Sequence, residues 1–133
     1  MADYPVLMHT AIDATDCRGL AEFYRQFLGL RYRPGDEEPG EDADWLVLVD
    51  ADGNRVLAVN GVDVLPRVTW PSDAVPKQMH HDFRVRGAED LVRQRRRAEA
   101  LGATLRYDRS DDPDEPLCVL ADPAGHPFCL LVG

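Results

Sequence analysis

WLVLVDADGNRVLAV, residues 45–59, sets two short apolar runs on either side of Asp50-Ala51-Asp52-Gly53-Asn54. Runs of Val and Leu bounded by Asp, Gly and Asn read as two strands, Trp45–Val49 and Arg55–Val59, joined by a tight hairpin turn. The landmarks of this turn return further on, because Asp50 to Asp122 and Gly53 to Gly125 are each 72 residues apart. Strands near Leu117–Ala121 and Pro127–Val132 flank the second copy. Upstream of the first hairpin, Val6–Ile12 alternates around His9 like a strand, and Thr15 or Asp16 can cap a helix running to about Leu28. Leu20, Phe23, Tyr24, Phe27 and Leu28 recur at helical spacing, Gly29 stands where a left-handed stop is wanted, and Leu30–Arg33 is strand-like. The same order follows in the second half: a strand at Met79–Val85, a helix from about Ala88 to Leu101, Gly102 as its stop, and a strand near Thr104–Tyr107. His9 to His80 and Gly29 to Gly102 are 71 and 73 residues apart, so four landmarks keep one offset within two residues. The chain is therefore read as two copies of a βαβββ unit. Module one covers about 1–62, a connector with Pro66, Pro71 and Pro76 covers 63–77 and reads as extended, and module two covers about 78–133, all within one domain.

A length of 133 residues with 44% hydrophobic content fills one core, of α+β class. A net charge of −9, from 24 acids against 15 bases, repels phosphate backbones and anionic membranes, so nucleic acid and membrane are set aside as partners. No run approaches the roughly 18 apolar residues of a span, and MADYPVLMHT lacks a signal peptide's basic and apolar regions, which makes a soluble cytoplasmic protein the expectation. Cys17, Cys118 and Cys129 form no C-x-x-C pair and read as buried free thiols. No nucleophile triad, phosphate-cradling loop or dinucleotide fingerprint occurs in a suitable context. The acidic runs Asp36–Asp44 and Asp108–Glu115 read as solvated loops without the calcium-loop pattern, and Arg93, Arg95, Arg96 and Arg97 wrap around their helix rather than forming one strip.

Each sheet has one face for its helix, which leaves the other to meet a second sheet or to enclose a ligand. Strand alternation puts His81, Phe83 and Val85 on one side and His80, Asp82 and Arg84 on the other. In the first strand Met8, Thr10 and Ile12 oppose His9, Ala11 and Asp13. Two polar faces of this kind are expected to line a solvent-accessible site, since unpaired charges are costly in a packed core. Asp82 and Arg84 read either as an inert ion pair or, with His80, as an acid–base and anion-binding set. Trp45 and Trp70 read either as aromatic walls for a flat ligand or as packing residues.

The segments LMHTAIDATD, LAEFYRQFLGL, MHHDFRV and ADPAGHPFCLL, in this order and spacing, together resemble the glyoxalase and bleomycin-resistance type domains of the vicinal oxygen chelate superfamily. The resemblance implies two βαβββ modules in a curved, incompletely closed mixed β barrel around a central cleft, often as a homodimer. It also implies a small-molecule ligand and, in metal-dependent members, a cation held from the first and last strands of the modules. His9 and His80 fall at two such ligand positions, Leu57, Ala58 and Val59 offer no donor at a third, and Cys129 stands where glutamate is usual. His9, His80 and Cys129 would suit a divalent metal such as zinc better than iron, which disfavours a dioxygenase; Cys129 also reads simply as a buried thiol. The expected function is small-molecule binding with a degenerate metal site and a lyase or isomerase step on an oxygen-rich substrate. His9, His80 and Asp82 are the candidate catalytic residues, with Asp13, Arg84, Trp45 and Trp70 as ligand contacts. The alternative is non-catalytic sequestration of a drug or metabolite.

Overall fold

The computed structural model describes residues 3–38 and 43–133. The chain divides into two compact units, Met1–Leu65 and Pro66–Gly133.

The first unit runs β1 (Thr10–Ala14), α1 (Cys17–Leu28), β2 (Arg31–Tyr32), β3 (Trp45–Val49) and β4 (Arg55–Gly61). Its sheet has the order β1-β4-β3-β2, with β1 parallel to β4 and the other pairs antiparallel. Asp16 starts α1, its carboxylate accepting from the Gly19 N–H at 3.0 Å, and Gly29 stops it in the left-handed region at φ 67°. The helix buries Leu20, Ala21, Phe23, Tyr24 and Phe27 and packs on β3 and β4. Those strands present Leu46, Leu48, Leu57 and Val59, which alternation and register place on one face with Ile12. The first ladder begins later than the sequence reading has it: Val6 and Leu7 are 86% and 83% exposed, and pairing starts at Thr10 opposite Leu57. Because β4 itself starts at Arg55, it has almost no backbone to offer the residues before Thr10.

A polar network ties α1 to the segment after β2. Arg18 donates to the carbonyls of Asp36 and Glu38, both at 2.6 Å, and lies over the Tyr32 ring. Glu22 accepts from Arg25 Nε and from the Tyr32 hydroxyl, each at 2.6 Å. The Arg25 bond holds the Glu22 carboxyl below its ordinary value, while burial and the bond to Glu22 push the Tyr32 phenol up to about 12. A carboxyl lowered on folding contributes stability that is present above its unfolded pKa and lost as pH falls through the folded one. Glu22→Gln is thus expected to lower the urea midpoint at pH 7, and the gap to the parent protein should close as pH falls through the folded carboxyl's titration. An unchanged gap would show that Glu22 is not the linked group. The acidic run expected as a solvated loop is tied down at Asp36, which accepts from Val47 N at 2.9 Å and pairs with Arg33; residues 39–42 of that run lie outside the described residues.

The second unit repeats the plan with β5 (His81–Val85), α2 (Ala88–Ala100), β6 (Thr104–Arg109), β7 (Leu117–Ala121) and β8 (Pro127–Val132), in the order β5-β8-β7-β6. Leu91 and Ala98 of α2 are fully buried, with Cys118, Leu120, Phe128 and Leu130 of the sheet. Two boundaries differ from expectation. β5 starts at His81, opposite Phe128, because β8 begins only at Pro127. β6 extends to Arg109, so Asp108 belongs to a strand rather than a loop; it stands opposite Cys118 and meets Arg95 at 3.3 Å. Two of the helix arginines are balanced locally, Arg93 by Asp90 at 2.5 Å and Arg95 also by Glu99 at 3.5 Å. The connector is not simply extended, since Thr69 bonds Val75 and closes a turn around a cis Trp70–Pro71 bond. Among the described residues no helix is long and apolar enough to cross a membrane.

The repeat reaches the hydrogen bonds. Asp50 accepts from the N–H of Asp52 and Asn54, both at 2.9 Å, and Asp122 accepts from those of Ala124 and His126 at 2.9 and 3.0 Å. Gly53 and Gly125 take positive φ, 83° and 96°, at the matching place in each turn.

Candidate functional site

In the second unit the side of the sheet turned away from the buried Phe128 and Leu130 carries a chemical cluster. The β5–β8 ladder puts Asp82 opposite Cys129, and the β7–β8 ladder puts Val119 opposite Cys129. His80, two residues before Asp82, falls on the same side. His80 Nε2 lies 3.2 Å from Asp82 Oδ1, and one ligating atom from each of His80, Asp82 and Cys129 lies within 4.8 Å of the others. Burial, then the charge of Asp82 and the bond that its carboxylate accepts from the thiol, push Cys129 up to about 11. At neutral pH the thiol keeps its proton. Unlike the buried Cys17 and Cys118, Cys129 is only half-buried, so the reading of three buried thiols holds for two of them.

Trp70, Lys77, His80, Val119, Pro127 and Cys129 line a recess of about 40 Å³, room for a water-sized group or the tip of a ligand. Trp70 is held edge-on to Tyr107 at 6.3 Å, has Lys77 Nζ 5.3 Å above its ring, and accepts at its carbonyl from Arg106. Sequence reasoning singled out Trp70 but missed Lys77, Val119 and Pro127. Val119 and Pro127 are apolar and carry no chemical signature, and their common side follows only from the ladder register; Lys77 lies in the connector, where no ladder places it. Of the two readings of Asp82, the ion pair with Arg84 does not form among the described residues. Asp82 faces His80, and the Arg84 side chain runs along Gly133. His81 is half-buried and stacks on Phe83 at 5.7 Å, and burial lowers its pKa. His126 is half-buried at the turn.

The remaining candidates belong to the first unit. His9 lies 5.8 Å from the Trp45 ring, and its Nδ1 is buried without a hydrogen-bond partner among the described residues. Asp13 accepts from Asn60 Nδ2 at 3.1 Å, a neighbour that the sequence reading did not single out. The ladders of the two units superpose by the internal repeat. His80, Asp82 and Cys129 correspond to His9, Ala11 and Ala58, since Ala11 pairs with Ala58 as Asp82 pairs with Cys129. The fold itself does not require donors at these positions, because one copy fills two of them with alanine.

An imidazole, a carboxylate and a thiol gathered this closely fit a divalent cation of intermediate softness. Asp82, read from sequence as an acid–base group, is the donor that completes the trio within this unit.

The family model of the glyoxalase-like domain matches residues 9–131. A search of curated proteins finds no match. Among solved structures the chain is similar to a glyoxalase/bleomycin resistance protein/dioxygenase family enzyme from Burkholderia phytofirmans PsJN, with 19% identity, 94% and 96% of the two chains covered, and a TM-score of 0.67. It is similar to the fosfomycin resistance protein FosX from Listeria monocytogenes complexed with Mn(II) and sulfate, with 18% identity, coverage of 100% and 92%, and a TM-score of 0.66. It is also similar to lactoylglutathione lyase from Agrobacterium tumefaciens, with 18% identity, coverage of 99% and 96%, and a TM-score of 0.62. At these identities the likeness is one of fold.

Proposed function

The chain belongs to the glyoxalase-like domain family, and from that membership we propose that it binds a small oxygen-rich molecule on the His80 side of the second sheet and catalyses a lyase or isomerase step on it. The observation that carries this reading is the convergence of His80, Asp82 and Cys129 beside the recess that Trp70 borders. Asp82 orients the His80 imidazole, Trp70 and Val119 give the ligand an apolar wall, and Arg84, further along the same side, attracts an anionic group. A divalent cation held by His80, Asp82 and Cys129 would supply polarisation of substrate oxygens. His9, Asp13 and Trp45 are assigned to ligand contacts of the first unit, with His9 a further reacting residue. A homodimer, as the resemblance implies, and a cytoplasmic location are proposed with this reading.

The test is consumption, followed by NMR, of a panel of oxygen-rich metabolites that includes lactoylglutathione and fosfomycin, named for two of the structural neighbours. One compound should be converted, with turnover reduced about 100-fold or more in His80→Ala, the scale on which removing one preorganised polar group acts. Undiminished turnover would take His80 out of the reaction. Saturable binding with every ligand recovered unchanged would replace catalysis by sequestration, the reading that the Trp70 wall favours.

A further inference from the structure

We propose that Lys77 and the recess beside it form an anchoring subsite for a small organic anion, with Lys77 holding the charged oxygens while a methyl-sized apolar end seats against Trp70 and Val119. The proposal rests on the reading of this face as the working site, and it names the substrate class: an acid rather than a neutral carbonyl compound or alcohol. Charge is the first argument. Lys77 is the only lysine of a chain whose other basic residues are all arginine, and the recess walls include no arginine. Its ammonium lies 5.3 Å from the centre of the Trp70 ring and forms no ion pair among the described residues, although acids outnumber bases by 24 to 15. Asp82, the acid of this face, is engaged with His80 at 3.2 Å and with the Cys129 thiol, which leaves the Lys77 charge to a ligand. A compact ammonium serves a carboxylate or phosphonate oxygen as a point charge.

Size and polarity are the second argument. The recess measures about 40 Å³, against roughly 30 Å³ for one water in the liquid, so it takes one or two non-hydrogen atoms. Trp70, Val119 and Pro127 give it apolar walls, against which a charged group would be desolvated without partners. The inserted end is therefore apolar, and the charge stays where the half-buried Lys77 meets solvent. The wall is also set before a ligand arrives. Thr69 and Val75 exchange bonds at 3.0 and 2.8 Å, Arg106 donates to the Trp70 carbonyl at 3.0 Å, and the Trp70 ring stands edge-on to Tyr107. A wall held in this way lowers the ordering cost of binding.

As the only lysine, Lys77 can be watched alone and without reference to turnover. Reductive methylation with carbon-13 formaldehyde keeps its charge and gives one dimethyl-lysine NMR resonance, distinct from that of the α-amino group. Propionate should shift that resonance saturably, and neutral propionamide should not. Pivalate, too wide for the recess, should bind about 10-fold more weakly than propionate, the scale on which overfilling a packed site acts, and Trp70→Ala should narrow the difference. In Lys77→Gln, saturation transfer to the propionate methyl should show binding weakened by about 10-fold, the worth of one charge-assisted hydrogen bond, and Lys77→Arg should recover part of it. Circular dichroism confirms that each variant is folded. No saturable shift with propionate, an equal shift with propionamide, pivalate bound as tightly as propionate, or propionate binding undiminished in Lys77→Gln would each overturn the proposal. Turnover of a neutral compound with kcat/KM unchanged in Lys77→Gln would sink the anionic substrate class and leave the catalytic reading standing. Propionate held at Lys77 with no compound of the metabolite panel converted would support the subsite and sink the catalytic reading alone.

Discussion

Asp122→Ala should cost about 2–4 kcal/mol of stability and Asp50→Ala about 1 kcal/mol or less, although the two aspartates occupy equivalent turns and make equivalent bonds. Each carboxylate accepts from two backbone N–H groups at 2.9–3.0 Å. The difference lies in what replaces it. Asp50 is half-buried above an exposed turn, Ala51 to Asn54, so water can take over both N–H groups. Asp122 is 1% exposed, between the buried Ala121 and a turn that includes the buried Gly125. Removing its carboxylate strands two donors where water reaches them poorly, and each stranded donor costs about 1–3 kcal/mol. Urea unfolding of the two single variants measures the contrast. Equal losses would mean that burial does not set the worth of these bonds, and that the turns contribute through local geometry alone.

The repeat was legible because its signals are local. Asp16 before an amphipathic run, Gly29 after it, and Asp-x-x-Gly between apolar runs each fix one element without reference to any other, and two copies of such signals reinforce one another. The strands Trp45–Val49, Leu117–Ala121 and Pro127–Val132 came out at their observed bounds for that reason. What failed locally was the start of β1 and β5, since a strand begins where its ladder partner begins, and the partner lies 47 residues downstream in each unit. The site follows the same division. Alternation alone puts His80 and Asp82 on one side, but Cys129 joins them only through the parallel register. Nothing in HDFRV or PFCLLV states that register. Resemblance supplied His9, His80 and Cys129 as one set; the geometry of the second unit adds Asp82. That addition was hidden because an aspartate two residues from a histidine reads equally as an ion-pair partner or an acid–base group.

Phe128→Ala and Cys129→Ser, adjacent on one strand, should act on different properties of the molecule. Phe128 is 0% exposed, stands between His81 and Leu120 in the two ladders, and meets the Phe83 ring at 5.7 Å. Truncating it removes most of a large apolar side chain and leaves a cavity that neighbours locked in two ladders cannot collapse into, a cost of about 3–5 kcal/mol. For a chain of this size that lowers Tm by roughly 10–20 °C. Cys129 points to the other side, is half-buried, and loses almost no volume on becoming serine, so its stability change should stay within about 1 kcal/mol. In a titration of the metal-stripped chain with cobalt(II), a thiolate-to-cobalt band, the signature of the cation proposed above at His80, Asp82 and Cys129, should survive in Phe128→Ala at temperatures where the chain is still folded and vanish in Cys129→Ser. Scanning calorimetry and the cobalt titration, run on both variants, separate the cases. If Cys129→Ser proved as destabilising as Phe128→Ala, the half-buried thiol would be part of the core, and the trio would owe its closeness to packing rather than to a ligand.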